Sequence, residues 1–172
     1  MNNPYIKHII SFLLLFLLQI LLLNKITLFG FITPMVYVLF ILSLPFTTPK
    51  WAIIVLSFAS GLVMDMFTGV LGMHALSLMC LGFCRSFVIK HIPFQGELEP
   101  HLSPILYDMK IVWYVQYIVS LVLIHHFVYF LIDAMSLRHF FRLLGVVFSN
   151  ALCTLLCILL LQILFYKPSK RY

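Results

Sequence analysis

Long apolar runs separated by short polar breaks recur from one end of the chain to the other. A helix needs about 20 residues, at 1.5 Å of rise each, to cross about 30 Å of hydrocarbon. Runs near that length predict an all-α membrane protein, a bundle of about six transmembrane helices forming one polytopic domain over residues 1–172. The predicted spans are residues 5–23, 30–45, 51–67, 73–90, 111–131 and 142–166.

The second span is the shortest, and it is bounded by Pro34 and Pro45. Pro34 suits the first turn of a helix, where its missing N–H has no partner to lose. A helix between the two prolines reaches only part of the way across a bilayer. Residues 30–45 therefore predict either a short span or two helical pieces whose break is buried against protein.

Composition supports a membrane location: 63% of the residues are hydrophobic, 9% are charged, and the mean hydropathy is +1.12. A soluble domain carries about 25% charged residues. The net charge of +6 does not predict nucleic-acid binding, because the basic residues lie scattered at the ends of apolar runs. Such cations act as topology signals and contact lipid headgroups.

Basic residues also predict the orientation of the chain, since cytoplasmic loops are enriched in Lys and Arg. With six spans, one side holds eight of them and the other holds three. The side with eight carries both termini, which predicts that both are cytoplasmic. The eight are Lys7, Lys50, Arg85, Lys90, Lys110, Lys167, Lys170 and Arg171, and the three are Lys25, Arg138 and Arg142.

Asp65 is an acid inside an apolar setting, where a charge costs about 2.5–3.5 kcal/mol on insertion scales. Ser57, Gly61, Asp65 and Gly69 recur every four residues and share one helix face. A residue of this cost is usually paired or faces a partner helix. Asp65 is therefore predicted to be a structural anchor between the third helix and its neighbours, or else a helix-end residue reaching the interface.

Gly69 and Gly72 lie in a very short connection that makes the third and fourth helices antiparallel neighbours. His74 follows closely enough for a carboxylate–imidazole contact with Asp65, or for an interfacial position among headgroups. Gly82 and Ser86 form a second small-residue notch, on the fourth helix. Small residues let helix backbones approach, so either small-residue surface can serve internal packing or partner docking.

Other polar residues predict packing rather than chemistry. His125 and His126 point about 100° apart on one helix, which favours hydrogen bonds to neighbouring helices over joint metal binding. Gln19 and a stripe containing Asn150 and Thr154 are expected to face inward. Two cysteine pairs are interpreted as small packing residues, and no metal or cofactor is expected: Cys80 with Cys84, and Cys153 with Cys157.

The loop of residues 93–110 contains three of the five acids and three prolines, which prevent a long regular helix. It can be a solvated linker or a partner-binding segment.

Nucleophile–base motifs, Walker loops and paired intramembrane carboxylates are absent from the sequence. The chain is therefore expected not to be an enzyme, while an intramembrane acid together with histidines leaves a transporter open.

Three stretches resemble a known family: GFITP at residues 30–34, GLVMD at 61–65 and GVLGMHAL at 69–76. This pattern of small residues and one acid is similar to that of the MreD family of bacterial rod-shape-determining membrane proteins. The likeness extends over nearly the whole chain in length, helix number and basic tail, and its most specific part is residues 61–76. None of these motifs is catalytic.

The resemblance implies a non-enzymatic scaffold of the cell-elongation machinery, located in the bacterial inner membrane. Family members bind a bitopic partner, MreC, and link it to the filament protein MreB and to the peptidoglycan synthases. The family fold also looks like the substrate-binding membrane component of energy-coupling-factor transporters. That likeness supplies the alternative function, a subunit that binds a small ligand near its outer face.

Overall fold

The computed structural model describes residues 4–94, 103–135 and 139–165, which contain helices and turns but no β-strand, apart from an isolated bridge between Leu28 and Ile32. The all-helical fold class is confirmed for these residues. In chain order the helices are α1 Pro4–Leu21, α2 Val38–Leu42, α3 Lys50–Thr68, α4 Met73–His91, α5 Ile111–Ala134 and α6 Phe140–Phe165; a short 3-10 turn, Leu23–Lys25, follows α1.

Four of these helices, α3 to α6, are long and apolar enough to cross a membrane. Their mean hydropathies are 1.7, 1.3, 1.9 and 2.4 in chain order. The first helix and the 3-10 turn after it contribute a shorter apolar stretch, Ile9–Lys25. These lengths and hydropathies are those of a multi-pass membrane protein, in which α3 to α6 run alternately up and down.

Proline and glycine set the two ends of α3 and the start of α4. Pro49 precedes α3 in an extended conformation, with φ −66° and ψ 145°. At the other end, Gly69 has φ +72° and Gly72 has φ +79°. A residue with a Cβ is strained in this left-handed region. The two glycines thus end α3 and begin α4 within a turn of four residues.

Residues 30–45 differ most from the predicted helix, because only Val38–Leu42 is α-helical. Residues 33–35 have no regular structure, and residues 34–44 are buried throughout. We call residues 34–44 the interior segment. Side chains from α1 and α6 satisfy its backbone, which removes the need for a continuous helix. The break predicted as one alternative is thus present and buried against protein.

The surface of the described residues is apolar, unlike that of a soluble protein, and polar residues are buried within a mainly apolar interior. Large apolar side chains such as Leu13, Phe83 and Leu164 are exposed, at 51%, 70% and 64%. Exposed apolar faces, together with polar residues buried among apolar ones, are what a lipid solvent permits. The buried polar residues include Gln19, Ser57, Asp65, His74, Arg85, His125, His126, Asn150, Thr154 and Gln162.

The described end of the loop between α4 and α5 packs onto the bundle. Ile105 and Met109 are buried, and the backbone N–H of Leu106 donates to Oε1 of Gln162 on α6 at 3.0 Å. This portion is therefore not a solvated linker. Glu97, Glu99 and the other residues from 95 to 102 lie outside the described residues, as do Arg138 and the basic C-terminal tail.

Candidate functional site

Asp65, in the last turn of α3, caps the first turn of α4. Its Oδ1 accepts the backbone N–H of His74 at 2.9 Å, and its Oδ2 accepts that of Ala75 at 3.1 Å. The first N–H groups of a helix have no intrahelical partner and carry a partial positive charge. Asp65 is 5% exposed, so the alternative of an acid reaching the interface is wrong. Its partner is the backbone of α4.

Gly61 lies one turn before Asp65, at a close approach between the backbones of α3 and α4. A Cβ placed on Gly61 would lie 2.6 Å from the backbone nitrogen of Ala75 and 2.6 Å from the carbonyl oxygen of His74, and would also meet Cα of Ala75. Real Cβ atoms do not approach that closely. The absence of a side chain at position 61 therefore brings Asp65 within hydrogen-bond distance of the α4 N-terminus.

Gly82 on α4 faces α3 two turns further along. A Cβ placed there would meet the Ser57 hydroxyl and would lie 3.1 Å from Cβ of Ser57 and 3.4 Å from Ile53. Ser57 is fully buried. Gly61 and Gly82 thus both serve the α3–α4 contact, which leaves neither free as a docking surface. Ser86, the other member of the predicted notch, is half-buried on α4.

His74 does not make the carboxylate–imidazole contact that its sequence position suggested. Its backbone bonds to Asp65, and its ring turns away, so that Nδ1 lies 2.7 Å from the hydroxyl of Tyr37. The same hydroxyl lies 2.9 Å from Nε2 of His125 on α5. His74 is 4% exposed, so the interfacial alternative is also wrong. Tyr37, in the interior segment, therefore links α4 to α5.

Hydrogen-bond counting assigns the protons of this triad. The Ser77 hydroxyl lies 2.6 Å from the carbonyl oxygen of Met73, to which it donates, and 3.3 Å from Nε2 of His125. Nδ1 of His125 is buried without a hydrogen-bond partner. A buried N–H without an acceptor costs about 1–3 kcal/mol. We therefore place the His125 proton on Nε2, donating to Tyr37, whose own proton goes to His74.

A second polar chain connects the interior segment to α5 and α6. The backbone N–H of Met35 donates to Oγ1 of Thr154 at 2.9 Å, and that hydroxyl lies 3.1 Å from Nε2 of His126. Nδ1 of His126 lies 2.9 Å from the carbonyl of Val122. If Nδ1 carries the proton, each group in this chain has a partner. The two adjacent histidines thus serve different neighbours.

Two amide side chains satisfy the non-helical backbone around Pro34. Gln19 on α1 donates to the carbonyl of Pro34 at 2.8 Å and accepts the N–H of Val36 at 2.7 Å. Asn150 on α6 accepts the N–H of Thr33 at 2.9 Å and donates to the carbonyl of Phe31 at 3.1 Å. A side-chain amide matches one backbone donor and one acceptor. These pairs replace the helical bonds that residues 31–36 lack.

Arg85 and Tyr117 hold the opposite end of the interior segment. The hydroxyl of Tyr117 donates to the carbonyl of Leu42 at 2.9 Å and accepts Nε–H of Arg85 at 2.8 Å, while the guanidinium also donates to the carbonyl of Leu44. Cations are favourable at a helix C-terminus, here that of α2. Arg85 is 1% exposed, so its interpretation as a topology signal at the membrane surface is wrong. Pro45 follows directly and is half-buried.

The cavities that open on the surface of the described bundle include two of ligand size. The larger, of about 990 Å³, lies between α1 and α3 and is mostly apolar. We call it the α1–α3 cleft. The smaller, of about 460 Å³, lies between the end of α5 and the start of α6, and we call it the α5–α6 pocket. Its lining includes Asp133, His139 and Arg142.

Among the residues that the structure describes, there is neither a metal-binding cluster nor a disulfide. No group of three or more His, Cys, Asp or Glu side chains there could hold a metal ion. The four cysteines are free thiols and half-buried. The polar side chains of the described interior form hydrogen bonds with the backbone of the interior segment and of α4, and with one another.

Sequence reasoning identified Asp65, Gly61 and Gln19 but missed Tyr37, Tyr117 and the role of Arg85. A tyrosine within an apolar run gives no signal of its own. Arg85 did give one, because it lies inside the predicted span 73–90 rather than at its end. A cation at that position calls for a buried acceptor, which the carbonyl of Leu44 supplies.

Comparison with known proteins gives no relative from which a function could be transferred. No protein-family model, no curated protein and no solved structure matches the chain.

Proposed function

We propose that the chain is a non-enzymatic scaffold of the bacterial cell-elongation machinery. In this role it would lie in the inner membrane and link a bitopic MreC-like partner to an MreB-like filament and to peptidoglycan synthases. The proposal includes six membrane spans, counting α1 and the interior segment, and a fold similar to the substrate-binding component of energy-coupling-factor transporters. The similarity of residues 61–76 to the MreD pattern is its origin.

The observation that carries the proposal is the structural use of that stretch. Gly61, Asp65, Gly69 and Gly72 each have a defined part in joining α3 to α4. A rigid helical hairpin suits a protein that holds other proteins together rather than one that catalyses a reaction. The polar interior is likewise used on the chain's own backbone, which favours a fixed platform over a site that turns over a substrate.

Both termini are proposed to be cytoplasmic. Because Arg85 is buried, it no longer counts among the loop cations, and the asymmetry becomes seven basic residues against three. The direction of the positive-inside argument is unchanged. Accessibility labelling of a cysteine added to the C-terminal tail tests the orientation: labelling from outside intact cells would overturn it.

Co-purification from the native host tests the scaffold proposal. A tagged, detergent-extracted chain is expected to recover a bitopic protein with a periplasmic domain. Recovery of that protein should persist in an Asp133→Asn variant, since Asp133 is exposed, and should fall in an Asp65→Leu variant that disturbs the hairpin. Deletion of the gene should give rounded cells, and rod-shaped deletion mutants would refute the proposed role.

A second candidate function is a small-ligand-binding subunit of an energy-coupling-factor-type transporter. The α5–α6 pocket favours it, because its volume of about 460 Å³ falls within the range of about 300–1,000 Å³ typical of ligand sites. The pocket also offers Arg142, His139 and Asp133 to a polar ligand. In this case the tagged chain would recover nucleotide-binding ATPases and a coupling membrane protein instead.

A further inference from the structure

The α1–α3 cleft is graded from polar to apolar along its length. At one end it is lined by Thr47, Thr48 and Trp51, which lie just before and at the start of α3. From there the α3 lining runs through Leu56, Ala59 and Ser60, of which only Ser60 is polar, and the lining that other elements contribute is apolar. The remaining apolar lining comes from Ile9 and Phe12 of α1, Phe40, Leu44 and Pro45 of the interior segment and the residue after it, and Ala52 and Val63 of α3.

The length of the cleft corresponds to a single leaflet. The α3 residues that line it run from Trp51 to Val63, about 18 Å along the helix axis. One leaflet contributes about 15 Å of hydrocarbon, half of the whole core. A transmembrane helix of a partner would cross both leaflets and need a groove about 30 Å long. The cleft therefore fits an amphiphile from one leaflet better than a crossing helix.

A positively charged residue adjoins the polar end of the cleft, although it is not part of the lining. Lys50, the first residue of α3, stands between two residues of the lining, Pro49 and Trp51, and is exposed. The first turn of α3 contains no acidic residue, and no side chain caps it. Trp51 is 70% exposed, and Trp is enriched at the membrane–water interface. A headgroup at this end would meet a cation, hydroxyl groups and an indole ring.

From this gradient, length and charge we propose that the α1–α3 cleft is a binding site for one anionic glycerophospholipid. Its acyl chains would lie along Leu56, Ala59 and Val63, and its phosphate would lie beside Lys50 and the hydroxyls of Thr47 and Thr48. On the proposed topology this end faces the cytoplasmic leaflet, where anionic lipids attract basic residues. The site does not depend on the scaffold function, because it would serve either candidate function equally.

Lipid titration into detergent-solubilised protein tests this site with two cleft variants. Phosphatidylglycerol is expected to raise the Tm of the native chain more than phosphatidylcholine does. Lys50→Gln should weaken the affinity for phosphatidylglycerol about fivefold, which corresponds to about 1 kcal/mol for one basic residue. Ala59→Phe should abolish the preference by filling the cleft, and it should still fold because Ala59 is exposed.

Matched controls separate the cleft from the general lipid surface. Lys25→Gln removes a cation after α1, and Leu152→Phe enlarges an exposed apolar residue on α6, outside the cleft lining. Both should keep the native response to phosphatidylglycerol. Equal stabilisation by the two lipids, or an unchanged response in Ala59→Phe, would mean adventitious annular lipid only and would overturn the site.

Photo-crosslinking in native membranes distinguishes the occupants. With p-benzoyl-phenylalanine in place of Leu56, a lipid-sized mass addition is expected on the chain after irradiation. The same group in place of Leu152 should give a smaller yield of phosphatidylglycerol adduct. A protein adduct at position 56 as the main product would overturn the lipid assignment, since a partner helix would then occupy the cleft.

Discussion

Replacement of Asp65 should destabilise the bundle more than replacement of any exposed acid. Asp65→Leu leaves two buried N–H groups, those of His74 and Ala75, without their acceptors. Each such loss costs about 1–3 kcal/mol. The favourable interaction of the carboxylate with the positive end of α4 is lost as well. Such an interaction contributes about 0.3–2 kcal/mol, with the larger values where the charge is buried. The expected cost is therefore about 2–8 kcal/mol in the free energy of unfolding.

Asp65→Asn should be milder. The amide keeps one acceptor oxygen, which can bind one of the two N–H groups, but its NH₂ group faces the other donor. One hydrogen bond and the negative charge are lost, and we expect about half the cost of Asp65→Leu. The order native, Asn, Leu would show that hydrogen bonding, and not charge alone, holds the turn.

Reversible unfolding in mixed detergent micelles measures these differences. Asp133→Asn is the matched control, because Asp133 is exposed at the end of α5 and surface substitutions usually fall within about 0.5 kcal/mol. Native-like stability of Asp65→Leu would refute the capping argument. A loss of equal size in Asp65→Asn and Asp65→Leu would instead assign the whole effect to charge.

Two further comparisons test the packing of the bundle by the same unfolding measurement. Gly61→Ala should lower the free energy of unfolding more than Gly82→Ala does. The new Cβ at position 61 meets backbone atoms of α4, whereas the one at position 82 meets a serine side chain, which can rotate. The reverse order would contradict the close backbone approach at Gly61. Gln19→Leu should lower the free energy of unfolding by about 2–6 kcal/mol, because it leaves two buried backbone groups unpaired. Gln116→Leu, at an exposed position of α5, is the control and should be near neutral. Similar effects of the two substitutions would refute the role of Gln19.

The sequence predicts the long helices well because each one is a local property. Hydropathy over about 20 residues is independent of what a helix packs against, and α3 to α6 begin and end within three residues of the predicted ranges. The interior segment is different. Its backbone is satisfied by Gln19, Asn150 and Thr154, which come from helices distant in the sequence. No local pattern contains that information.

The sequence predicts that Asp65 has a buried partner, but it does not predict which group that partner is. The cost of a buried acid indicates that Asp65 is paired, and the glycines indicate close helices. An imidazole is the obvious ionisable partner nearby, yet the carboxylate binds backbone amides instead. That choice depends on the left-handed conformation of Gly72 and on the missing side chain at Gly61, which together orient the start of α4.

The interior also bears on the choice between the two candidate functions. A ligand that entered between α4 and α5 would have to break the hydrogen bonds of Tyr37 with His74 and His125, although Nδ1 of His125 has no partner to lose. Each displaced hydrogen bond would have to be replaced by the ligand at no loss, since unpaired buried groups are costly. A ligand subunit would therefore use the α5–α6 pocket, at whose rim the charged residues are exposed. A scaffold would need no such opening, because a partner would assemble on the outer surface of a filled interior.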